Sequence, residues 1–391
     1  MRKGWEYKKL GEIITPAKVI KNGDRIDYPI LSITMRSGII LQNERFKKTI
    51  ASVDTSNYKI VQNGQLVIAF PIDEGLIYTQ DIVEAGIMSP AYNIWNVDYS
   101  EMNRRFLVTY LHSPYAMSYY KSKLRGTTMR RRSIPKADLL NLTVPFPPMD
   151  RQVQIIEELD KINELIRLKK EQLKDFNNLA QSLFYEMFGD PVENEKGWEV
   201  HLLKALCTKI GSGATPKGGS ESYKEEGTSL IRSLNIHNNE FKFKDLAYID
   251  DDQADSLNNV IVQGNDVLLN ITGASVARCC IVPTEVLPAR VNQHVCILRH
   301  GNLIDAKYLN RLLTNDNYQQ LLQRLAKSKA ATREALPKSI VDKLSIPLPP
   351  LPLQRLFAQR IGQIEREKSE VQKSIQDLET LLASRMQYWF E

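Results

Sequence analysis

Apolar residues in the stretch 150–188 fall at Leu159, Ile162, Ile166, Leu173, Phe176, Ala180, Leu183 and Met187, with Lys169 the one polar member of the series. A repeat alternating between three and four positions is the 3.5-residue period of a coiled-coil helix. The same series returns 202 positions later as Ile361, Ile364, Val371, Ile375, Leu378, Leu382 and Trp389, with Lys368 and Arg385 as its polar members. A helix of about 38 residues is roughly 55–60 Å long at ~1.5 Å per residue, too long to fold back on one globule. Two such seams in one chain most simply bury each other.

The duplication extends beyond the rods. Gly4-Trp5-Glu6 opens the first half and Gly197-Trp198-Glu199 the second; the offset is 193 there, about 200 near Gly64 and Gly264, and 202 at the helices. A repeat with a constant frame and insertions inside its bodies suggests one scaffold presenting two different readers. Short β-branched or aromatic runs bounded by Gly, Pro and Asn predict strands at 28–33, 65–70 and 91–97, and again at 228–233, 266–271 and 294–298. Helical hairpins follow at 103–111 with 115–124, and at 305–313 with 317–325. Neither body alternates strands with crossover helices, so both read as α+β. Pro145, Pro147 and Pro148, matched by Pro347, Pro349 and Pro350, precede the rods; Asp150 is the expected N-cap of the first, and Gly189-Asp190-Pro191 its stop.

The chain has 391 residues and a formal net charge of +6, enough for two domains and compatible with an acidic partner. The opening residues lead into a polar stretch, and no apolar run approaches the ~18 residues of a membrane span, so a cytoplasmic protein is expected. Cys207, Cys279, Cys280 and Cys296 lack zinc or disulfide spacing and read as reduced thiols. The five histidines, His112, His201, His237, His294 and His300, form no metal-ligand pair at helical spacing. Gly213 to Gly218 is followed by Gly219 rather than the lysine of a phosphate-binding loop. Ser89-Pro90-Ala91-Tyr92 is similar to an adenine-methyltransferase loop but reads better as a turn, and the triplets Glu6-Tyr7-Lys8 and Asp305-Ala306-Lys307 lack a partner acid. The chain reads as non-catalytic, with no metal or cofactor of its own.

The positive signal lies after each hairpin. Residues 121–136 carry seven cations and no acid, and residues 324–338 five cations and one acid. Arg and Lys there can neutralise phosphates, Thr hydroxyls can donate to phosphate oxygens, and an arginine fork can bridge two guanine acceptors. The candidate DNA-contacting residues are Arg36, Arg125, Thr127, Thr128, Arg130, Arg131 and Arg132 in the first half. In the second they are Lys217, Arg232, Lys327, Lys329, Thr332 and Arg333. Tyr115, Tyr119 and Tyr120 adjoin the first basic run; for the last two, helix packing is the better reading than base stacking. Two other functions stay open on the residues alone: a nuclease or methyltransferase with a degenerate site, and a coiled-coil adaptor that binds only proteins.

The order Trp5…Leu10, strand body, Gly126-Thr127-Thr128…Arg131, Ile134-Pro135-Lys136, Pro147-Pro148…Gln152 and long helix, all of it duplicated, resembles the specificity subunit of type I restriction–modification enzymes. Gly211-Ser-Gly-Ala-Thr-Pro216, Ile271-Thr-Gly-Ala274, Asn292-Gln293-His294 and Pro349-Pro350…Gln354 add to the likeness. The resemblance implies two similar target-recognition domains, 1–148 and 191–350, and two spacer helices, 149–190 and 351–391, paired antiparallel with pseudo-twofold symmetry. It implies double-stranded DNA as ligand, with a bipartite target read half by half. It also implies two methyltransferase subunits that bring S-adenosylmethionine, and, where present, a restriction and translocase subunit using ATP and magnesium. Ser328 stands where the first half has Gly126, and Ala330-Ala331 replace part of the Thr-Thr run, so the second loop is expected to grip DNA differently.

Overall fold

The computed structural model describes residues 4–23, 28–35, 37–45, 54–125, 133–216, 218–327 and 334–391. It divides into two compact units, one of Met1–Lys170 with Lys373–Glu391, the other of Glu171–Gln372. Each unit therefore takes a domain body together with half of each long helix.

In the first unit a four-stranded antiparallel sheet runs in the order Ile14–Pro16, Asn93–Val97, Leu66–Ile68, Ile77–Thr79. In the second the order is Cys207–Ser212, Val295–His300, Val267–Asn270, Cys279–Ile281, the same path through the repeat. A two-stranded ribbon closes each body: Glu6–Lys9 pairs with Thr143–Phe146, and Val200–Leu202 with Ser345–Pro347. The bodies differ in their remaining strands. The second has a three-stranded sheet, Ala247–Ile249, Thr228–Ile231 and Ala289–Val291, the last two parallel. Among the described residues the first has two separate antiparallel pairs there, with the parallel bridge Ile30–Ile87 in the corresponding place.

The helical hairpins are Arg104–Leu111 with Pro114–Lys123, and Ala306–Leu313 with Asp316–Lys327. Asn103 and Asp305 cap them alike, each side-chain oxygen accepting from two backbone amides of the first turn. Tyr120 is fully buried with its hydroxyl donating to Leu111 O, and Tyr119 donates to Asp138 O, so both pack as helix residues while Tyr115 stays 41% exposed.

The rods are Met149–Phe188 and Leu351–Phe390. Asp150 is not the N-cap. The first rod starts a residue earlier, and the Pro148 carbonyl accepts from Arg151 and Gln152, which leaves Asp150 inside the first turn. There its charge faces the positive end of the helix dipole. Gly189 ends the rod at φ 73°, a left-handed geometry that side chains resist.

Leu159, Ile162, Ile166, Ile361, Ile364, Val371 and Ile375 are buried, and Leu173, Phe176, Leu183, Leu378 and Leu382 lie along the same seam. In the first unit Lys170 reaches Glu379 and Glu158 pairs with Arg385; in the second Asn177 accepts from Lys368 and Phe184 meets Phe357. In each unit, higher numbers on one helix meet lower numbers on the other, so the pairing is antiparallel. Near the rod ends the buried arc widens beyond the seam. Phe184 and Phe188 are each 2% exposed because the domain's own Tyr308 packs on the helix as well as Phe357.

One repeated contact ties each body to its rod. Gln152 is fully buried; its Oε1 accepts from Asn103 N, and its Nε2 donates to Glu101 O and Pro147 O, the last two at 2.9 Å. Gln354, fully buried as well, does the same with Asp305 N, Leu303 O and Pro349 O. A buried amide that satisfies three backbone groups explains why glutamine follows both Pro-Pro pairs. Replacing Gln152 or Gln354 with alanine strands those groups, and each change should cost about 2–4 kcal/mol. Urea unfolding of the full chain measures it, and a loss under about 0.5 kcal/mol would contradict the role.

Glu158 accepts from Arg385 and from the Trp389 indole, and the Arg385 hydrogen bond chiefly holds its carboxyl below the usual carboxylate range. A carboxyl lowered on folding stabilises above its unfolded value and loses that stabilisation as pH falls through the lowered one. Glu158→Gln should therefore flatten the acid side of the stability profile while costing no more than about 1 kcal/mol at neutral pH, the pair being partly exposed. An unaltered acid limb would count against it.

Candidate nucleic-acid interface

Each basic segment leaves its hairpin at the same place in the repeat. Arg125 and Lys327 are 202 positions apart and stand immediately before the two loops. In the first unit Arg125 and Ser133 exchange reciprocal backbone hydrogen bonds of 3.1 and 3.2 Å, which closes the loop at its root. The Arg125 side chain stays 78% exposed, with its guanidinium 3.7 Å from Asp138. Lys136, after the loop, lies 5.5 Å from the centre of the Trp95 ring.

The second root is braced by the sheet. Lys327 Nζ stands 3.5 Å from Glu334, Ala335 N donates to Ala326 O, Gly273 N to Glu334 O and Leu336 N to Ile271 O. Thr272 is the bridge partner of Ala335 and shares a 2.5 Å hydrogen bond with His294 Nδ1. His294 Nε2 lies 3.1 Å from Gln293 Nε2, and the Gln293 carbonyl accepts from the Thr215 hydroxyl. Gly213 lets this happen, because a Cβ there would come within 1.7 Å of Val291 O. Three fragments that the sequence shows as separate motifs, 211–216, 271–274 and 292–294, thus form one polar cluster at the foot of the loop. Their convergence had no sequence signal; it is made by strand pairing between segments far apart in the chain, such as Gly211–Ser212 with Cys296–Ile297.

Arg232 is placed differently. It is half-buried, its Nη2 donating to Asp245 O and its guanidinium over Tyr223 at 5.2 Å, so the side chain is held against its own domain, with Nε buried and without a partner among the described residues. Arg36, Thr127, Thr128, Arg130, Arg131, Arg132, Lys217, Lys329, Thr332 and Arg333 lie outside the described residues.

The residues weighed for catalysis have structural partners. Lys8 pairs with Glu101 at 3.1 Å and covers Phe146; Asp305 is a helix cap, and Lys307 pairs with Glu365 at 2.8 Å. Tyr92 N donates to Ser89 O in a turn before the strand Asn93–Val97. Burial pushes the Cys207, Cys280 and Cys296 thiols up to about 12, away from a reactive thiolate. Among the described residues no group of three or more His, Cys, Asp or Glu could hold a metal, and no helix is long and apolar enough to cross a membrane.

The same α+β body, with its hairpin, closing ribbon and buried glutamine, occurs twice in the chain, which defines a duplicated two-unit scaffold. Residues 2–176 and 195–380 both match the type I restriction modification DNA specificity domain, and the chain belongs to that family. It is similar to two proteins of Methanocaldococcus jannaschii, the putative type I restriction enzyme MjaX specificity subunit and the MjaVIII specificity subunit. They are 23% and 22% identical, each alignment covering 97% of this chain and 92% of the relative. Among solved structures, a chain from work on complex assembly and conformational transition of the type I R-M system matches 100% of this chain and 98% of its own length. Its TM-score is 0.65 at 20% identity. The type I S subunit from M. genitalium covers 98% and 95%, with a TM-score of 0.52 at 13% identity.

Gly213→Ala should break the close approach of 211–216 to Val291 and destabilise the second unit by about 3 kcal/mol. Calorimetry on the full chain tests this; an unchanged profile would mean the segment does not pack there.

Proposed function

We infer that this chain is the DNA-reading subunit of a type I restriction–modification enzyme. Each unit reads one half of a bipartite, asymmetric double-stranded target. The observation that carries the reading is the duplicated loop root, Arg125 in one unit and Lys327 in the other, each on a body tied by a buried glutamine to its own long helix. Because the two bodies and loops differ in sequence, the two half-sites differ.

The chemistry comes from partners. Two methyltransferase subunits dock on the helices and bodies and supply S-adenosylmethionine, and a restriction and translocase subunit with ATP and magnesium joins where the system has one. This chain holds no cofactor and turns over nothing itself, and the complex works in the cytoplasm. A residual nuclease or methyltransferase activity would appear as turnover by the isolated chain with magnesium or S-adenosylmethionine. A protein-only adaptor would show no DNA affinity even beside its methyltransferase.

Replacing Arg130, Arg131 and Arg132 together with alanine should weaken DNA binding and flatten its salt dependence, the log–log slope falling by ~0.9 for each phosphate no longer neutralised. Unchanged binding would remove that segment from the interface. Inserting seven residues in register into each rod adds roughly 10 Å of helix at ~1.5 Å per residue. That matches about three base pairs at ~3.4 Å each. If the rods set the gap between half-sites, a methylated-adenine map should then show a longer gap between unchanged half-sites; altered half-sites would refute that role.

A further inference from the structure

The polar cluster at the foot of the second loop has a direction. An amide nitrogen only donates, so the 3.1 Å contact from Gln293 Nε2 makes His294 Nε2 the acceptor and leaves the ring proton on Nδ1, an assignment made from the network. That proton points at Thr272 Oγ1, 2.5 Å away. The Thr272 hydroxyl hydrogen is then unspent among the described residues. Gln293, on an exposed residue, has given one N–H to His294 and its carbonyl to Thr215, which leaves its second N–H. With the Lys327 ammonium 65% exposed at the loop root, the capacity left over is mainly that of donors. A base edge in the major groove distinguishes bases by a mixed pattern of donors and acceptors, whereas a phosphate offers acceptors alone.

We propose that Thr272 and Gln293, held in place by His294 and Thr215, each donate to the phosphate backbone of DNA at the foot of the second basic loop, in contacts that do not depend on sequence. The inference rests on the DNA-reading function proposed above. Its physical content is positional. Thr272 is paired with Ala335, and Gly273 with Glu334, so a phosphate held there fixes where the loop begins relative to the duplex. His294 and Thr215 are positioning residues, because they act only through their neighbours. The segment 211–216 reaches the cluster only because Gly213 has no side chain.

The test uses the full chain with its methyltransferase partner, and target and non-target duplexes. Thr272→Val keeps the shape and removes the hydroxyl; Gln293→Ala removes the amide. Each should weaken binding to both duplexes by about 3- to 10-fold, the worth of one hydrogen bond. The target preference and the salt slope should stay unchanged, since no cation is removed. Thr272→Ser should restore affinity, which a folding defect would not allow. A neutral methylphosphonate scanned along the half-site should reveal one position that weakens the wild type but not Thr272→Val. His294→Phe should behave as Thr272→Val does. Relaxed preference at one base pair would make the cluster a base reader and overturn the proposal, as would unaltered affinity in both variants. A wild-type complex with no preference for any duplex would instead overturn the function inferred above, a result visible before any variant is made.

Discussion

The rod pairing is the constraint on which the rest depends. Both rods are forty residues long and carry an apolar stripe, and most helical stability in proteins comes from burying such a face. Each Leu or Ile fully buried in the seam is worth about 1.5–3 kcal/mol over leaving it in solvent. Apolar packing alone tolerates slippage by a turn; the polar members do not. Lys368 is matched to Asn177, and Arg385 to Glu158, which also accepts from Trp389. A shift of one turn would part these groups and leave half-buried charges without partners. Burial and the nearby Arg311 lower the Lys368 pKa, so it is there at some cost, in keeping with polar residues that fix register rather than add stability.

Around that frame the repeat keeps some contacts and remakes others. The buried glutamines, the hairpin caps and the order of the four-stranded sheet are the same in both units. The link between hairpin and rod has been redrawn. In the first unit Arg105 pairs with Asp160 at 2.6 Å. At the position equivalent to Asp160 the second unit has Gly362, and Lys307 and Arg311 both turn to Glu365. Two solutions to one charge-pairing problem are what duplication followed by independent drift leaves behind.

The seam is legible in the sequence because its period is long and sustained, and the strands because they are short β-branched runs between turn residues. The rod ends are less so. Asp150 has the residue type of a cap, but the proline carbonyl before it already takes the first amides. Phe184 and Phe188 fall outside the heptad count because the domain's Tyr308, brought in by tertiary packing, covers them together with Phe357 of the second rod. At the site, basic composition locates both loops. It does not show that Arg232 turns inward, since that depends on Tyr223 and Asp245, or that residues 215, 272 and 293 meet.

The drift of the repeat offset follows from the same physics. Between the opening Gly-Trp-Glu and the hairpins the offset climbs from 193 to 202, and from there to the rod ends it does not move. Lengthening a surface loop is cheap, about 0.6 kcal/mol per doubling, so insertions inside the bodies accumulate with little penalty. One residue added to a rod rotates every later side chain by about 100° and carries the seam out of its partner's groove. Bodies free to change length on a frame that keeps its seam only through whole-heptad changes are suited to acquiring new DNA targets without losing the assembly that uses them.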